Sequence, residues 1–530
     1  MRTLLLAAVC VCTAAADTYP RQPGIDAQHY IFRITLSDAS NEISGETTAV
    51  LKFVKAGITE AALDLASPAD GKGMTVDSVT SEGAAVVYRH EADRLRLTFP
   101  PATAGEIRRF TVKYHGTPAG GLKIITNRHG DRVFFSVNWP NMAHQWLPTI
   151  DHPYDKATSE FLVTAPAKYQ VVANGLLLEQ IDLGDGRRTT HWKQSVPIAT
   201  WLDNIGVAQF SSRNFARAAG VPLQSWLFYQ DRAAGMVTFE EPLRRAIEFY
   251  NDCIGPYPYE KLAAVEAAGM GGGMEHASEI FFGERTVTGR PALALVAHET
   301  AHQWFGDSVT ESDWDDVWLS EGFATYFALL TTEHYEGRDA FVAGLQRSRT
   351  SVFTAEKRMP GVAVVQDKPW KGIPNQVVYQ KGAWALHMLR GQLGTATFWA
   401  GIRAYYRRYR DSNATTADFR KVMEEVSGQD LGWFFRQWIY RAGSPVLEGR
   451  WQYDTATHKI KMELTQTQPG DPYRLPVEIS FAPAGAPPKF ATLQMASREQ
   501  HFEIASDRDP TSVEPDPNTT LLAQMHFAKQ

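Results

Sequence analysis

Cysteine is nearly absent from this chain of 530 residues: there are three, and Cys10 and Cys12 both fall within the first sixteen positions. That opening stretch has one basic residue, Arg2, a short apolar run from Leu4 to Val11, and the small residues Ala14 and Ala16 ahead of Asp17. It reads as a signal peptide, residues 1–16, cleaved near Ala16, and so predicts an exported protein, periplasmic or secreted. Each of Cys10 and Cys12 follows a valine, where a lipid-bearing cysteine is expected to follow a small residue. Cleavage leaves Cys253 alone, so no intrachain disulfide can form in the mature chain and its domains must be held by their cores. Cys253 follows the apolar run Ala246–Tyr250 and reads as a structural thiol rather than a nucleophile. A second long hydrophobic run is also missing, which predicts a mature chain without a membrane span. Basic excess is absent as well: 53 Lys and Arg stand against 59 Asp and Glu, a net charge of −6, which gives no support to nucleic-acid binding.

What is present is ordinary globular composition, 44% hydrophobic and 21% charged, over a length that suggests three or four domains. Residues 17–216 alternate in short strand-like runs, such as Tyr30 to Leu36 and Ala49 to Val54, punctuated by Gly and Pro, and predict a β-rich N-terminal domain. Residues 217–443 turn helical. Apolar residues recur at three- and four-residue intervals over Met236–Cys253, Lys381–Gly394, Thr395–Arg410, Thr416–Gly428 and Leu431–Ala442. Alternation returns after Pro445, as in Lys459 to Leu464 and Val477 to Phe481, so residues 444–530 are expected to form a small β-sandwich.

The helical region carries the chemistry. His298, Glu299 and His302 stand in H-E-T-A-H, and after eighteen intervening residues comes Glu321. On a helix, positions i and i+4 share a face, so His298 and His302 offer imidazole nitrogens to one ion with Glu299 beside it. Catalytic zinc usually takes three protein ligands and leaves its fourth position to water, and Glu321, opening a second helix-like run from Trp318 to Tyr335, completes a His, His, Glu set for one Zn2+ ion. Composition alone gives roughly 0.05 chance occurrences of the triplet, and Leu293, Val296, Ala297, Ala301 and Phe305 frame it at helical spacing between Pro291 and Gly306. Glu299, placed between the two histidines, is free to act as general base on a zinc-activated water.

With these residues in view, the sequence resembles zinc aminopeptidases of the aminopeptidase N and leukotriene hydrolase family. Three motifs carry the likeness. The first runs from His298 to Gly306 together with Leu319-Ser320-Glu321-Gly322-Phe323-Ala324, with Ser320 where the family typically has Asn. The second is Gly272-Gly273-Met274-Glu275-His276, which matches the family's G-x-M-E-N segment except that His276 replaces Asn. The third is Val378-Tyr379-Gln380-Lys381-Gly382-Ala383, similar to its Y-x-K-G segment. The resemblance implies a multidomain α+β protein with a thermolysin-like α/β catalytic domain, here without the large helical C-terminal domain of many relatives.

It also implies roles. Gly272 to His276 would line the peptide site, with Glu275 anchoring the substrate's free α-amine, and Tyr379 would donate a hydrogen bond to the tetrahedral oxyanion. The family commonly adds a second amine contact, Gln or Glu, near Phe135 to Pro140; this chain has neither, so either Asn138 substitutes weakly or the amine rests mainly on Glu275. The expected function is therefore hydrolysis of the N-terminal residue of peptides. Three rivals remain: epoxide hydrolysis as in leukotriene hydrolase, thermolysin-like endopeptidase activity, and a non-catalytic binding module that keeps a structural zinc.

Overall fold

A computed structural model describes residues 17–366, 376–483 and 485–530; the expected signal peptide, with Cys10 and Cys12, lies outside the described residues. The N-terminal region is built on an eight-stranded sheet in which Ile25–Thr35 pairs antiparallel with Ile43–Phe53 and parallel with Lys156–Pro166. Along Lys156–Pro166 every second residue is buried, the period-2 signature of a sheet with one face on the core. Trp146, Phe161 and Trp192 fill that core, and a four-stranded sheet containing Leu122–Thr126 and Ile205–Ala208 leads toward the next region.

The central region is a five-stranded mixed sheet packed with helices. Val221–Phe228, Leu262–Ala267 and Glu279–Gly283 run parallel, the first two joined through helix α1 (Arg232–Cys253). Parallel strands are covered on both faces, so Leu262–Ala267 is buried at every position and reads as an almost unbroken apolar run. Phe210–Ala218 pairs with Val221–Phe228 and so belongs to this sheet. The expected boundary between residues 216 and 217 therefore falls inside a strand, because a hairpin that alternates like its N-terminal neighbours joins the second sheet. At the opposite edge lies the short strand Gly273–Met274, antiparallel to Glu279–Gly283.

Helices α2 (Leu293–His302) and α3 (Trp318–Glu336) follow the sheet, then α4 (Arg338–Arg358), α5 (Gly382–Leu393), α6 (Thr395–Tyr409), α7 (Thr416–Ser427) and α8 (Gly432–Trp438). Thr415 opens α7 with a reciprocal capping box to Asp418, and Gly428 ends it in the left-handed region. Helix α4 is the element missing from the sequence reading. Its buried face is Phe341, Gly344, Leu345, Ser348, Val352 and Ala355, a helical stripe in which glycine, serine and alanine dilute the apolar signal.

Residues 446–529 form two facing sheets, of four and three strands, around Trp451, Leu464, Ile479 and Phe481. This domain docks on the far side of the helices: Arg349 pairs with Asp516 at 2.8 Å, and His387 Nε2 lies 3.0 Å from Thr519 O. No described helix is long and apolar enough to cross a membrane.

Candidate metal centre and substrate cleft

Helix α2 points both histidines at one spot, and the first turn of α3 brings Glu321 to it. His298 Nε2 and His302 Nε2 are 3.2 Å apart, and Glu321 Oε2 lies 3.4 Å from each. Ligand atoms held ~2.0–2.1 Å from a zinc ion at tetrahedral angles lie ~3.3–3.4 Å from one another, so this triangle has the dimensions of one tetrahedral face. The chemistry of the donors agrees. Phe305 O accepts from His302 Nδ1 at 3.3 Å, which turns the Nε2 lone pair inward, and the buried Glu321 Oε2 accepts no hydrogen bond. Two imidazole nitrogens and a carboxylate oxygen converging at these distances suit a cation, and the triad fits a zinc ion.

Ser320 Oγ lies 2.9 Å from His302 Nδ1 and so supports the ligand from behind. Burial alone would raise the Glu321 carboxyl, but His302 and His298 hold it down at about 2, ionised as a ligand must be. Glu299 behaves oppositely. Desolvation pushes its carboxyl well above the carboxylate range and the neighbouring Glu275 pushes it further, which suits a group that must accept and release a proton.

The edge strand Gly273–Met274 runs past these groups with its outer side unpaired by any described strand, so its backbone is open to an extended peptide. Gly273 is needed there for close approach: a Cβ would lie 2.4 Å from Glu299 Cδ. Glu275 follows, 5% exposed, with its carboxylate among atoms that lie within 4.8 Å of the ligand atoms of Glu299 and His302. Burial raises its carboxyl, against the pull of His302.

Gln303, the residue after the second histidine, joins strand to helix. Its Nε2 donates to Glu275 O at 3.0 Å and to Asp307 Oδ2 at 2.7 Å, while its Oε1 accepts from Ser278 N and Tyr257 OH. Sequence reasoning missed this residue; its signal was a polar side chain at the buried end of the H-E-T-A-H helix. The N-terminal region holds both ends of the loop, through Lys123 to Gly269 O at 2.7 Å and Asn174 to Ala277 O at 2.8 Å.

One expected contact is corrected, and the Asn138 alternative is not favoured. The His276 ring is fully buried, packs edge-on against Phe281 at 4.7 Å, and neither of its nitrogens has a hydrogen-bond partner. Desolvation lowers its pKa to about 3, so it is neutral and turned into the core rather than toward a substrate. Asn138 is equally inaccessible: it is fully buried, and its amide donates to Asp203 O at 2.5 Å and accepts from Trp146 Nε1 at 2.9 Å.

Tyr379 lies in a π-helical turn, Val377–Lys381, and its hydroxyl donates to Glu321 Oε1 at 2.7 Å. Such turns recur at functional sites because one extra residue re-aims a side chain. Lys381, fully buried, fixes the turn by donating to Glu356 at 3.0 Å and to Gly443 O at 2.6 Å. From Gly272, Glu299 and Tyr379 a cleft of about 580 Å³ extends between α3 and α4. No described residue of the C-terminal β-domain lines it. Cys253, half-buried with its thiol pushed up by desolvation, stands apart from all of these groups on α1.

Comparison with known proteins agrees with this geometry. Residues 26–202 match the peptidase M1 N-terminal domain and residues 240–438 the peptidase family M1 domain. The glutamyl aminopeptidase of Bitis rhinoceros is 28% identical over 360 residues, covering 64% of this chain and 38% of the relative. Tricorn protease-interacting factor F2 of Thermoplasma acidophilum is 27% identical over 406 residues, covering 71% of this chain and 49% of the relative. The chain thus spans less than half the length of these relatives. Among solved structures, the M1 zinc metallopeptidase of Deinococcus radiodurans superposes with a TM-score of 0.69 at 27% identity, covering 79% of this chain and 94% of the neighbour. With the two M1 domain models matched in order and this solved M1 fold superposed along nearly its full length, the chain belongs to peptidase family M1.

Proposed function

We propose that this protein is an exported zinc aminopeptidase that removes the N-terminal residue from peptides. Glu275 carries the reading. It is a buried carboxylate beside the His298, His302 and Glu321 triad and supplies none of the triad's three ligand atoms. A free peptide N-terminus is largely cationic below pH ~8, and its ammonium provides the charge partner that burial denies Glu275. With the amine held there, the first peptide carbonyl reaches the triad, so cleavage releases one residue.

A zinc ion held by His298, His302 and Glu321 would supply Lewis acidity that polarises this carbonyl and acidifies water. Glu299 takes a proton from the attacking water on its carboxylate and delivers it to the departing amine nitrogen. The Tyr379 hydroxyl, at the rim of the triad, turns from Glu321 Oε1 to the carbonyl oxygen as negative charge develops there. The edge strand Gly273–Met274 aligns the substrate backbone. Relatives named glutamyl aminopeptidase, and a Deinococcus radiodurans neighbour solved with a Tyr-Ser-Ala substrate, support the same reading.

Hydrolysis of aminoacyl-4-nitroanilides tests it: chelation should abolish turnover, zinc should restore it, and Glu299→Gln should lower kcat by roughly 10²–10⁴. Turnover that survives both chelation and Glu299→Gln would rule the assignment out. Export rests on residues 1–16 alone, and N-terminal sequencing of the mature protein should begin at Asp17; retention of Met1 in protein isolated from the cytoplasm would contradict it.

A further inference from the structure

The cleft between α3 and α4 begins at the reacting groups and does not include Glu275 in its lining. On the aminopeptidase reading, on which this inference rests, the substrate amine sits at Glu275 and the scissile carbonyl at the triad. The cleft is therefore left for the departing part of the peptide. Its α4 wall includes Arg347 and Ser348, consecutive residues of that helix.

Both present a donor without an acceptor. Arg347 is exposed and has no hydrogen bond or ion pair among the described residues. Ser348 is buried, and its Oγ has no partner. A buried hydroxyl left unpaired is costly, and with a guanidinium lining the same cleft it matches one ligand chemistry, a carboxylate. Among the described residues, no other Asp, Glu, Lys, Arg or His but His298 and Glu299 lines the cleft, and both of these stand at its catalytic end.

The distance sets the substrate length. Gly344 packs on Leu329, with its Cβ position 2.6 Å from Leu329 Cδ2, which places the Arg347 turn of α4 against the Leu329 turn of α3. Leu329 stands eight residues after Glu321 on α3, or ~12 Å along the axis at 1.5 Å per residue. An extended peptide covers that distance in roughly three to four residues, and the reach of the arginine side chain shortens the count to two or three.

We propose that Arg347 and Ser348 form a subsite for the C-terminal carboxylate of tri- and tetrapeptides, which makes short peptides the preferred substrates. An Asp or Glu side chain at the same distance offers the same chemistry, and the test separates the two sources.

The experiment uses the N-terminal residue most reactive as an anilide, X, and compares kcat/KM for X-Ala-Ala, X-Ala-Ala-amide and X-Ala-Asp-amide. The wild type should favour the free acid over the Ala amide by about ten- to a hundredfold, mainly through KM, as a charge-assisted hydrogen bond of about 1.5–3 kcal/mol implies. In Arg347→Ala that ratio should fall to near one, and Arg347→Lys should recover part of it. Equal rates on all three peptides by the wild type overturn the subsite. Preference for the Asp amide without preference for the free acid overturns the C-terminal assignment in favour of an acidic side chain. Turnover of neither peptides nor anilides overturns the aminopeptidase reading itself. Arg347 lies on the surface, so an unchanged melting temperature shows that any altered ratio is not a folding defect.

Discussion

Gly322 of α3 and Gly382 of α5 meet backbone to backbone: a Cβ on Gly382 would lie 3.1 Å from the Gly322 Cα, with the Trp318 ring at 3.5 Å. This contact sets the distance between two motifs. Glu321 precedes one glycine and Tyr379 stands three residues before the other, so the helices approach closely enough for the 2.7 Å hydrogen bond between them. The glycines of E-G and K-G are thus packing residues with a catalytic consequence.

Gly382→Ala should accordingly separate the two helices. Overpacking against backbone costs about 1–3 kcal/mol and moves Tyr379 away from the triad. The expected result is a lowered melting temperature together with a kcat loss larger than any rise in KM. Thermal melts and steady-state kinetics on anilides check both.

Tyr379→Phe removes the hydroxyl and leaves the ring, which stacks over His298 with centroids 6.2 Å apart. Because the O–H acts on charge that develops only in the transition state, kcat should fall by roughly 10²–10³ with KM little changed. An equal loss in KM would place the hydroxyl in substrate binding instead.

Ser320→Ala should weaken the metal rather than the fold. It removes a hydroxyl 2.9 Å from His302 Nδ1 and leaves Phe305 O as that nitrogen's remaining partner. Loss of such a supporting contact typically costs 10–100-fold in metal affinity. Zinc titration against a competing chelator measures it.

Stability should respond to pH through Asp203. It is 2% exposed, and burial raises its pKa from 3.8 to about 7 even though Ser159 Oγ donates to it at 2.6 Å. Between pH 4 and pH 7 the folded state keeps a proton that the unfolded chain has released. The native state therefore binds more protons, and this group's contribution makes stability fall as pH rises through that window. Asp203→Asn should flatten that part of the slope, by on the order of a few kcal/mol. Urea unfolding at pH 5 and pH 7.5 gives the comparison.

The triad was legible in the sequence because its geometry is local: two histidines one helical turn apart and a glutamate in the first turn of the next helix. Strand-rich ends and a helical middle were legible from periodicity. Helix α4 was not, since Gly344 and Ser348 replace apolar residues on its buried face. The contacts of His276 and Asn138 were also hidden: Phe281 and Trp146 are near in sequence, but which way each side chain turns is set by the fold, and Asp203 stands 65 residues from Asn138. Gln303 was visible as a letter beside His302, but its five partners come from three other segments.

The central claim is that Glu275 holds the substrate's free amine beside the triad. It is tested most directly by the ratio of kcat/KM for an aminoacyl-4-nitroanilide to that for its N-acetylated form, in the wild type and in Glu275→Ala. The account predicts a ratio of at least about 10² in the wild type, falling by an order of magnitude or more in the variant through loss of the free-amine substrate. Comparable rates on the acetylated and free substrates in the wild type would contradict it.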